Sequence, residues 1–376
     1  MMNPTTEAEL AEAIAAADGP LRVIGGGTRP IGYPAGGQGL SVAGLSGVEL
    51  YEPGALTIVA KAGTPLAEVE ATLAAGGQRL PFEPMDHRAL LGTQGEPTIG
   101  GVVAANVSGP RRIQAGACRD SLIGVRFVDG RGNAIKSGGR VMKNVTGYDL
   151  VKFLAGSYGT LGVLSQVSFK VLPRPDAIAV LRIEGLNDVD AVRALAMGLT
   201  SPFEVSGAAH VPAGIDGAPL TMIRIEGFEA SVSYRADELE KLLAEFGEIT
   251  VELDPERAAT DWRRVRDVEV FAGAAGDVWR ISVKPSDGPR AVAAIGARGV
   301  LYDWGGGLIW ALVDEGRDIR PALSGIPGHA TLVRADEKTC AAIPVFHPEA
   351  GPLAAISAGL RRQFDPRGIL NPGLMG

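Results

Sequence analysis

Three glycines and a threonine, Gly25-Gly26-Gly27-Thr28, follow directly on a short apolar run, Leu21-Arg22-Val23-Ile24. Residues without a Cβ let successive backbone N–H groups turn into one hollow, and such a nest binds an anion, typically a phosphate. The common nucleotide fingerprints do not fit it. A Gly-x-Gly-x-x-Gly frame begun at Gly25 meets Pro30 where its third glycine belongs, and Pro30, Gly32, Pro34, Gly36 and Gly37 exclude the helix that should follow. No Gly-Lys-Ser/Thr of a P-loop occurs, because Lys136-Ser137 is preceded by Ile135. Two more blocks share the composition. One runs from Thr98, Gly100 and Gly101 through Asn106, Ser108 and Gly109 to Gly116, Cys118 and Asp120. The other joins Gly147-Tyr148-Asp149-Leu150 to Gly156-Ser157-Tyr158-Gly159-Thr160-Leu161-Gly162-Val163. Glycine admits close backbone approach to a flat ligand, while Thr, Ser and Asn supply orienting hydrogen bonds. A single block reads equally well as turn glycines. Three in this order point to one shared ligand.

Those blocks need elements to hold them. Thr6 and Glu9 form a capping box for a first helix with Leu10 and Ile14 inward, stopped by Gly19-Pro20. Leu21–Ile24 is then a strand entering the nest, and residues 56–60 form a second strand after Pro53-Gly54. Thr64-Pro65 opens a helix with Leu66, Val69 and Leu73 on one face, closed by Gly76-Gly77. Residues 121–128 and 164–172 read as strands, and residues 98–116 as Gly- and Ala-rich chain. After Pro173-Arg174-Pro175 glycine thins and longer amphipathic elements begin. Helices are expected over 188–199 and 235–246, the latter striped by Leu239, Leu242, Leu243 and Phe246, with strands near 222–225, 278–283, 307–313 and 330–333. The acidic stretch 237–256 reads as a solvated helix face or a partner contact. A tail helix over 353–364 ends in Asp365-Pro366-Arg367-Gly368. Strands and helices alternate irregularly, which predicts an α+β fold.

Composition bounds the function. The chain has 376 residues, 46% hydrophobic and 21% charged, with a net charge of −7. That length allows two domains, each with a core. The acidic balance argues against a nucleic-acid partner. Cys118 and Cys340 lie far apart, predicting a reducing compartment and no disulfide framework. The N-terminus predicts no signal peptide, and Pro34 breaks the charge-free run 30–48, so no membrane helix is expected there.

The strand-Gly-Gly-Gly-Thr, the Thr-Ile-Gly-Gly with Ser-Gly, and the Gly-Ser-x-Gly-Thr-Leu-Gly-Val pattern resemble the vanillyl-alcohol-oxidase-type FAD-binding family over residues 1–173, and Asn371-Pro372-Gly373 extends the match. Ser108-Gly109-Pro110-Arg111-Arg112 and Lys143-Asn144-Val145-Thr146-Gly147-Tyr148-Asp149-Leu150 resemble, more narrowly, the FAD-binding subunits of glycolate oxidase (glycolate dehydrogenase). The resemblance implies an FAD domain over 1–173, a second α+β cap domain over 176–345, and a segment 346–376 returning to the first. It implies that Gly25, Gly26, Gly27 and Thr28 hold the FAD pyrophosphate. Thr98, Gly101, Asn106 and Ser108 would line the pyrophosphate and flavin, Gly116, Asp120, Gly162 and Val163 the ribose and adenine, and Asn371 would close the site. Some members attach FAD to a His in the first block; here that position reads Gly27-Thr28, so a dissociable, non-covalent flavin is expected. The implied partners are a larger homologous FAD subunit and an iron–sulfur subunit. The implied place is the cytoplasm, at the inner membrane through those partners.

The substrate side is thinner. Relatives that oxidise 2-hydroxy acids grip metal through a His-x-His cluster, and this chain has no His-x-His, so no metal is expected. Flavin oxidation of such an acid asks for a carboxylate anchor and a group to take the hydroxyl proton. The candidates are Arg280 and Lys284 on one strand and His329 with Arg334 on another; solvated strand-edge charges are the simpler account of the arginines and the lysine, and a turn the simpler account of His329. His87 sits in a Pro81-Glu83-Pro84 loop that could lie near the flavin. Trp304-Gly305-Gly306-Gly307 reads as a β-turn. Three functions stay open: a glycolate-oxidising FAD subunit passing electrons to iron–sulfur centres and a quinone, a stand-alone FAD oxidase or dehydrogenase for a small hydroxy acid or polyol, and a non-catalytic FAD-bearing relay.

Overall fold

The computed structural model describes residues 1–32, 36–139, 148–215 and 217–375, so the Lys143 to Gly147 part of the narrow motif lies outside the described residues. The first lobe carries β1 (Leu21–Ile24), β2 (Gln38–Ser41), β3 (Val48–Glu52), β4 (Thr57–Lys61), β5 (Gln78–Arg79), β6 (Leu122–Val128), β7 (Ala134–Gly138), β8 (Val163–Lys170) and β9 (Leu172–Pro173). β1 and β2 pair in parallel, β5 pairs with β9, and the antiparallel sheet is ordered β3-β4-β8-β6-β7. The second lobe is one antiparallel sheet of β10 (Ala177–Glu184), β11 (Gly207–Val211), β12 (Leu220–Gly227), β13 (Ile249–Glu252), β14 (Asp277–Val283), β15 (Gly299–Asp303), β16 (Leu308–Val313) and β17 (Gly328–Arg334), ordered β13-β10-β12-β11-β15-β16-β14-β17.

Local sequence accounts for most of these elements. Thr6 Oγ1 accepts the Glu9 N–H at 3.2 Å and starts the helix Glu7–Ala15, whose Leu10 and Ile14 are fully buried. The capping box closes one residue early, since the Glu9 carboxylate accepts from Thr5. The helix Leu66–Ala75 buries Leu66, Val69 and Leu73 as its spacing requires. The expected helix over 235–246 is longer, Glu229–Leu243, followed by a 3-10 turn Ala244–Phe246. The acidic stretch is therefore not one helix face. Gly247 turns the chain at φ +125, β13 follows, and Asp254 starts a new helix, Pro255–Arg266, by accepting the N–H groups of Glu256 and Arg257 at 2.8 and 3.3 Å. The Gly- and Ala-rich block also contains a helix, Ile99–Ala104, capped by Thr98 Oγ1 on the Gly101 N–H at 3.2 Å.

Period-two alternation divides the second sheet. On β12, Ile223 and Ile225 face helices of their own lobe, whereas Leu220 and Met222 join the core of the first lobe, with Phe82, Ile99 and Phe169. Ala209, Val278, Leu301, Trp310 and Leu312 sit in that same shared cluster. The largest apolar core thus runs through the contact between lobes.

Arg224 and Glu226 continue the inward row of β12 and meet the first lobe as charges. Glu226 accepts from Arg79 Nη1 and from Arg111 Nε and Nη2, each at 2.8 Å. Glu83 accepts from Arg224 Nη2 at 3.0 Å and lies 3.2 Å from Arg111 Nη1. Arg224 also stacks on Trp262 at 4.4 Å. Against the opposing penalty of burial, Arg224, Arg111 and Arg79 hold the Glu226 carboxyl far below its usual range. Removing one partner of such a buried set leaves uncompensated charge, so Glu226→Gln should lower the unfolding free energy at neutral pH by about 3–5 kcal/mol, read by urea denaturation. Because the folded pKa lies below the unfolded one, this contribution is present above about pH 4.3 and is lost as pH falls through the folded value. The gap between wild type and variant should therefore narrow on acidification; a pH-independent gap would assign the loss to packing instead.

Candidate functional site

The nest is held from behind. The chain's tail pairs with β1, through Leu21 N–H to Ile369 O at 2.7 Å and Asn371 N–H to Leu21 O at 3.0 Å. The Asn371 side chain accepts from Val23 N–H and donates to Tyr158 O, both at 2.8 Å, tying β1 to the third glycine block. Beyond that anchor the chain turns. Among the described residues no acceptor meets the backbone N–H of Gly25, Gly26, Gly27 or Thr28, although Thr28 is buried. Buried main-chain donors are normally paired, so the free N–H of buried Thr28 indicates a ligand, and the half-buried Gly25 and Gly26 and the exposed Gly27 present theirs beside it. A Cβ on Gly26 would stand 1.6 Å from the Glu96 carbonyl oxygen, and Gly27 has φ +70.

These donors face a cavity of about 590 Å³, within the range of cofactor pockets. The first block supplies one wall, Thr98, Gly101 and Val102 the second, and Tyr158, Gly159, Gly162 and Val163 the third. Asn371 closes an end, and Ala335, Glu337 and Cys340 reach in from the second lobe. The three distant stretches thus converge. A long nucleotide with a central diphosphate fits this wall of backbone, since the donors stand along it and no side chain of the first block obstructs them.

Four expected residues do something else. Asn106, at φ +49, accepts the Arg119 N–H at 3.0 Å; Ser108 Oγ accepts the Cys118 N–H at 2.9 Å; Asp120 accepts the Ala117 N–H at 2.9 Å. Gly116 turns at φ +82 beside Asp120. Together they lock the loop of the second block and are not part of the cavity wall as described. Cys118 is buried and its thiol is pushed well up by desolvation, consistent with a small packed hydrophobe.

Cations gather where the lobes meet. Arg29 Nε donates to His87 Nε2 and Nη1 to Tyr158 Oη, each at 3.0 Å, and all three residues line the cavity. Burial, then the nearby Arg29 and Arg280, hold His87 well below the usual imidazole range, so it is neutral at pH 7. Arg280, on the inward face of β14, stacks on Trp304 at 5.1 Å, and Arg112 of the first lobe stacks on the same ring at 4.4 Å. Burial lowers the Arg280 pKa to about 10. Among the described residues, none of Arg29, Arg112 and Arg280 has a carboxylate within 4.0 Å.

The other catalytic expectations fare differently. Arg334 is unavailable to a substrate, because its guanidinium donates to Leu90 O, Phe271 O, Ala274 O and Gly276 O at 2.7–3.3 Å and so pins a loop. His329 is exposed, opposite Ser282 on the β14–β17 ladder; partial desolvation, then Arg280, His347 and Arg112, lower its pKa. Lys284 is exposed at the end of β14. Arg29, Tyr158 and Arg112 were not singled out as site residues, although each adjoins a glycine block, and that adjacency is the signal that could have found them. Trp304 sits at φ +52 and donates from its indole to Gly109 O at 3.1 Å, so its turn is also an inter-lobe contact.

A family profile described as "FAD binding domain" matches residues 1–138. The chain is 37% identical over 361 residues to the glycolate oxidase subunit GlcE of Escherichia coli, covering 95% of this chain and 92% of that one. It is 40% identical over 79 residues to the glycolate oxidase subunit GlcD of Bacillus subtilis, covering 21% of this chain and 17% of that one. The solved structure of an alkyldihydroxyacetonephosphate synthase superposes with a TM-score of 0.70 at 16% identity, covering 99% of this chain and 76% of that chain, which shows a shared fold. The α+β architecture, the FAD-binding character of the first lobe and the likeness along almost the whole length agree, and the chain belongs to the GlcE-like family of FAD-binding glycolate oxidase subunits.

Proposed function

We propose that this chain is the FAD-carrying GlcE-type subunit of a glycolate-oxidising complex, in which glycolate becomes glyoxylate with loss of two electrons and two protons. Its partners are a larger homologous FAD subunit and an iron–sulfur subunit that passes the electrons towards a quinone. The observation that carries this reading is the row of N–H groups at Gly25–Thr28 that meet no acceptor among the described residues, opening into a cavity that Arg29, His87 and Tyr158 also line. FAD, when bound, supplies the two-electron acceptor. Gly25, Gly26, Gly27 and Thr28 hold its pyrophosphate; Thr98 and Gly101 flank that group; Gly162, Val163 and Asn371 enclose the rest. Asn106, Ser108, Gly116 and Asp120 shape the second wall from behind. The FAD domain spans 1–173, the cap 176–345, and 346–376 returns to the FAD domain. With Gly27-Thr28 in the region where attached relatives carry His, the flavin is dissociable. Among the described residues no helix is long and apolar enough to cross a membrane.

The purified chain should be yellow, and acid precipitation should release the colour into the supernatant. Colour that stays with the precipitate would overturn non-covalent binding, and a colourless chain that takes up no added FAD would overturn the flavin reading. Gly26→Ala should abolish FAD uptake while circular dichroism stays native, because its methyl meets the Glu96 carbonyl. Gly27→Ala, strained by a positive φ but facing open space, should weaken uptake less. Equal FAD affinity in wild type and Gly26→Ala would remove the nest from the site. In the assembled complex, glycolate should bleach flavin absorbance under anaerobic conditions.

A further inference from the structure

We propose that Arg29 and Tyr158, joined with His87 in one hydrogen-bonded unit, clasp an anionic oxygen of the cofactor's diphosphate beside the glycine nest. This assignment deepens the function proposed above and rests on it. Its first support is a tally of donors. A guanidinium has five N–H donors in a planar fork. Arg29 commits Nε to His87 Nε2 and one Nη1 hydrogen to Tyr158 Oη, each at 3.0 Å, and the rest of its fork meets no acceptor among the described residues. Tyr158 Oη accepts that hydrogen, and its own O–H likewise meets no acceptor among them. All three residues line the cavity. Arg29 follows Thr28 directly in the chain, so the clasp begins where the nest ends.

The second support is how firmly these donors are held. Tyr158 sits at φ +52, an outlier for a bulky side chain, and such strain persists where the surroundings over-determine it, typically at ligand sites. Here the surroundings are explicit. Tyr158 donates its N–H to Ala104 O and its carbonyl accepts from Asn371 Nδ2, both at 2.8 Å, while its ring meets Phe346 edge-on at 4.8 Å. The Arg29 guanidinium lies 5.3 Å from the centre of the same ring. His87 is a positioning residue: buried and neutral, it accepts from Arg29 at Nε2 without repelling it. The third support is charge. Backbone N–H groups offer a diphosphate partial charges only, whereas a guanidinium fork offers a full one in matching geometry. Arg29 has no carboxylate within 4.0 Å among the described residues, so its charge is not already matched. The other arginine on the wall, Arg22, is exposed, and no hydrogen bond fixes its side chain among the described residues.

A substrate anion offers the same chemistry as a diphosphate, and ADP separates the two, because it carries the diphosphate without a flavin ring. In the full chain freed of FAD, Arg29→Gln and Tyr158→Phe should each lower FAD affinity roughly 10- to 100-fold, read by flavin fluorescence. The ADP-induced rise in Tm should shrink alongside it. Arg29→Lys, which keeps the charge and loses the fork, should recover only part of the affinity. His87→Gln, still able to accept from Arg29, should bind FAD more tightly than His87→Leu; equal affinity would overturn the positioning role. Should Arg29→Gln fail to fold by circular dichroism, Tyr158→Phe, which removes a single hydroxyl, carries the test. Wild-type affinity for FAD and ADP in the Arg29 and Tyr158 variants would overturn the clasp. Loss of FAD affinity with an unchanged ADP response would overturn it too, giving the pair to the flavin ring. So would unchanged cofactor binding with a weaker glycolate response in the assembled complex, giving the pair to the substrate. A wild-type chain that took up no FAD would fail the flavin reading separately, and its ADP response, present in wild type and lost in the variants, would then still decide the diphosphate site.

Discussion

Everything at the cavity depends on how the eight-stranded sheet is seated on the first lobe, and buried charge determines that seating. An apolar contact alone tolerates sliding, because burial energy is non-directional. Arg224 and Glu226 break that tolerance. They lie on the same face of β12 as Leu220 and Met222, so the strand's alternation sends them into the contact. There they meet Glu83, Arg111 and Arg79 in one arrangement. Desolvation and attraction nearly cancel in such sets, so their net contribution to stability is small. The alternatives are what suffer: a sheet displaced by one residue pair would bury several charges unpaired. The network acts as a register, and Arg280 of the second lobe meets the same Trp304 ring as Arg112 of the first because that register holds.

The same contact contains two electrostatic regimes. Around Glu226, cations and carboxylates are matched within hydrogen-bond distance. Around Trp304, Arg112 and Arg280 share an aromatic ring with no carboxylate within reach among the described residues. Asp303 stands between the regimes, feeling Glu83, Arg224 and Arg280. Burial raises its pKa to about 7, Glu83 adding to that rise and Arg224 and Arg280 opposing it.

Much of the nest was legible in the residues. Glycine has few reasons to recur beside threonine and serine at the end of a strand, and the three blocks do meet at one cavity. The elements with strong periodicity were legible too, such as the helices around Leu10 and Leu66. Short strands were not: β2 contains Gly39 and spans only Gln38–Ser41, so pairing with β1 decides its conformation. The helix Pro255–Arg266 was hidden because the acidic run before it extends to Glu256 in its first turn, and only the Asp254 cap marks the break. Arg334 and Arg280 looked alike in sequence, each a cation on an alternating strand. Their roles part only in three dimensions, where four carbonyls surround one and an indole faces the other.

A division of labour follows from the kinds of donor at the nest and at the lobe contact. Backbone N–H groups carry partial charges fixed by the fold, and ordering them adds no side-chain entropy when a ligand arrives. They suit a cofactor that stays bound through many turnovers. Guanidinium groups carry full charge on movable stems, so what constrains the stem sets where that charge acts. Here the stems are constrained only partly: Arg29 by Tyr158 and His87, Arg280 by a ring face. Arg29 belongs to the first lobe and Arg280 to the second, so their relative placement depends on how the lobes are seated. That makes the buried charges at Glu83 and Glu226 a condition for the inter-lobe arginines, whereas the nest is held within the first lobe and by the tail.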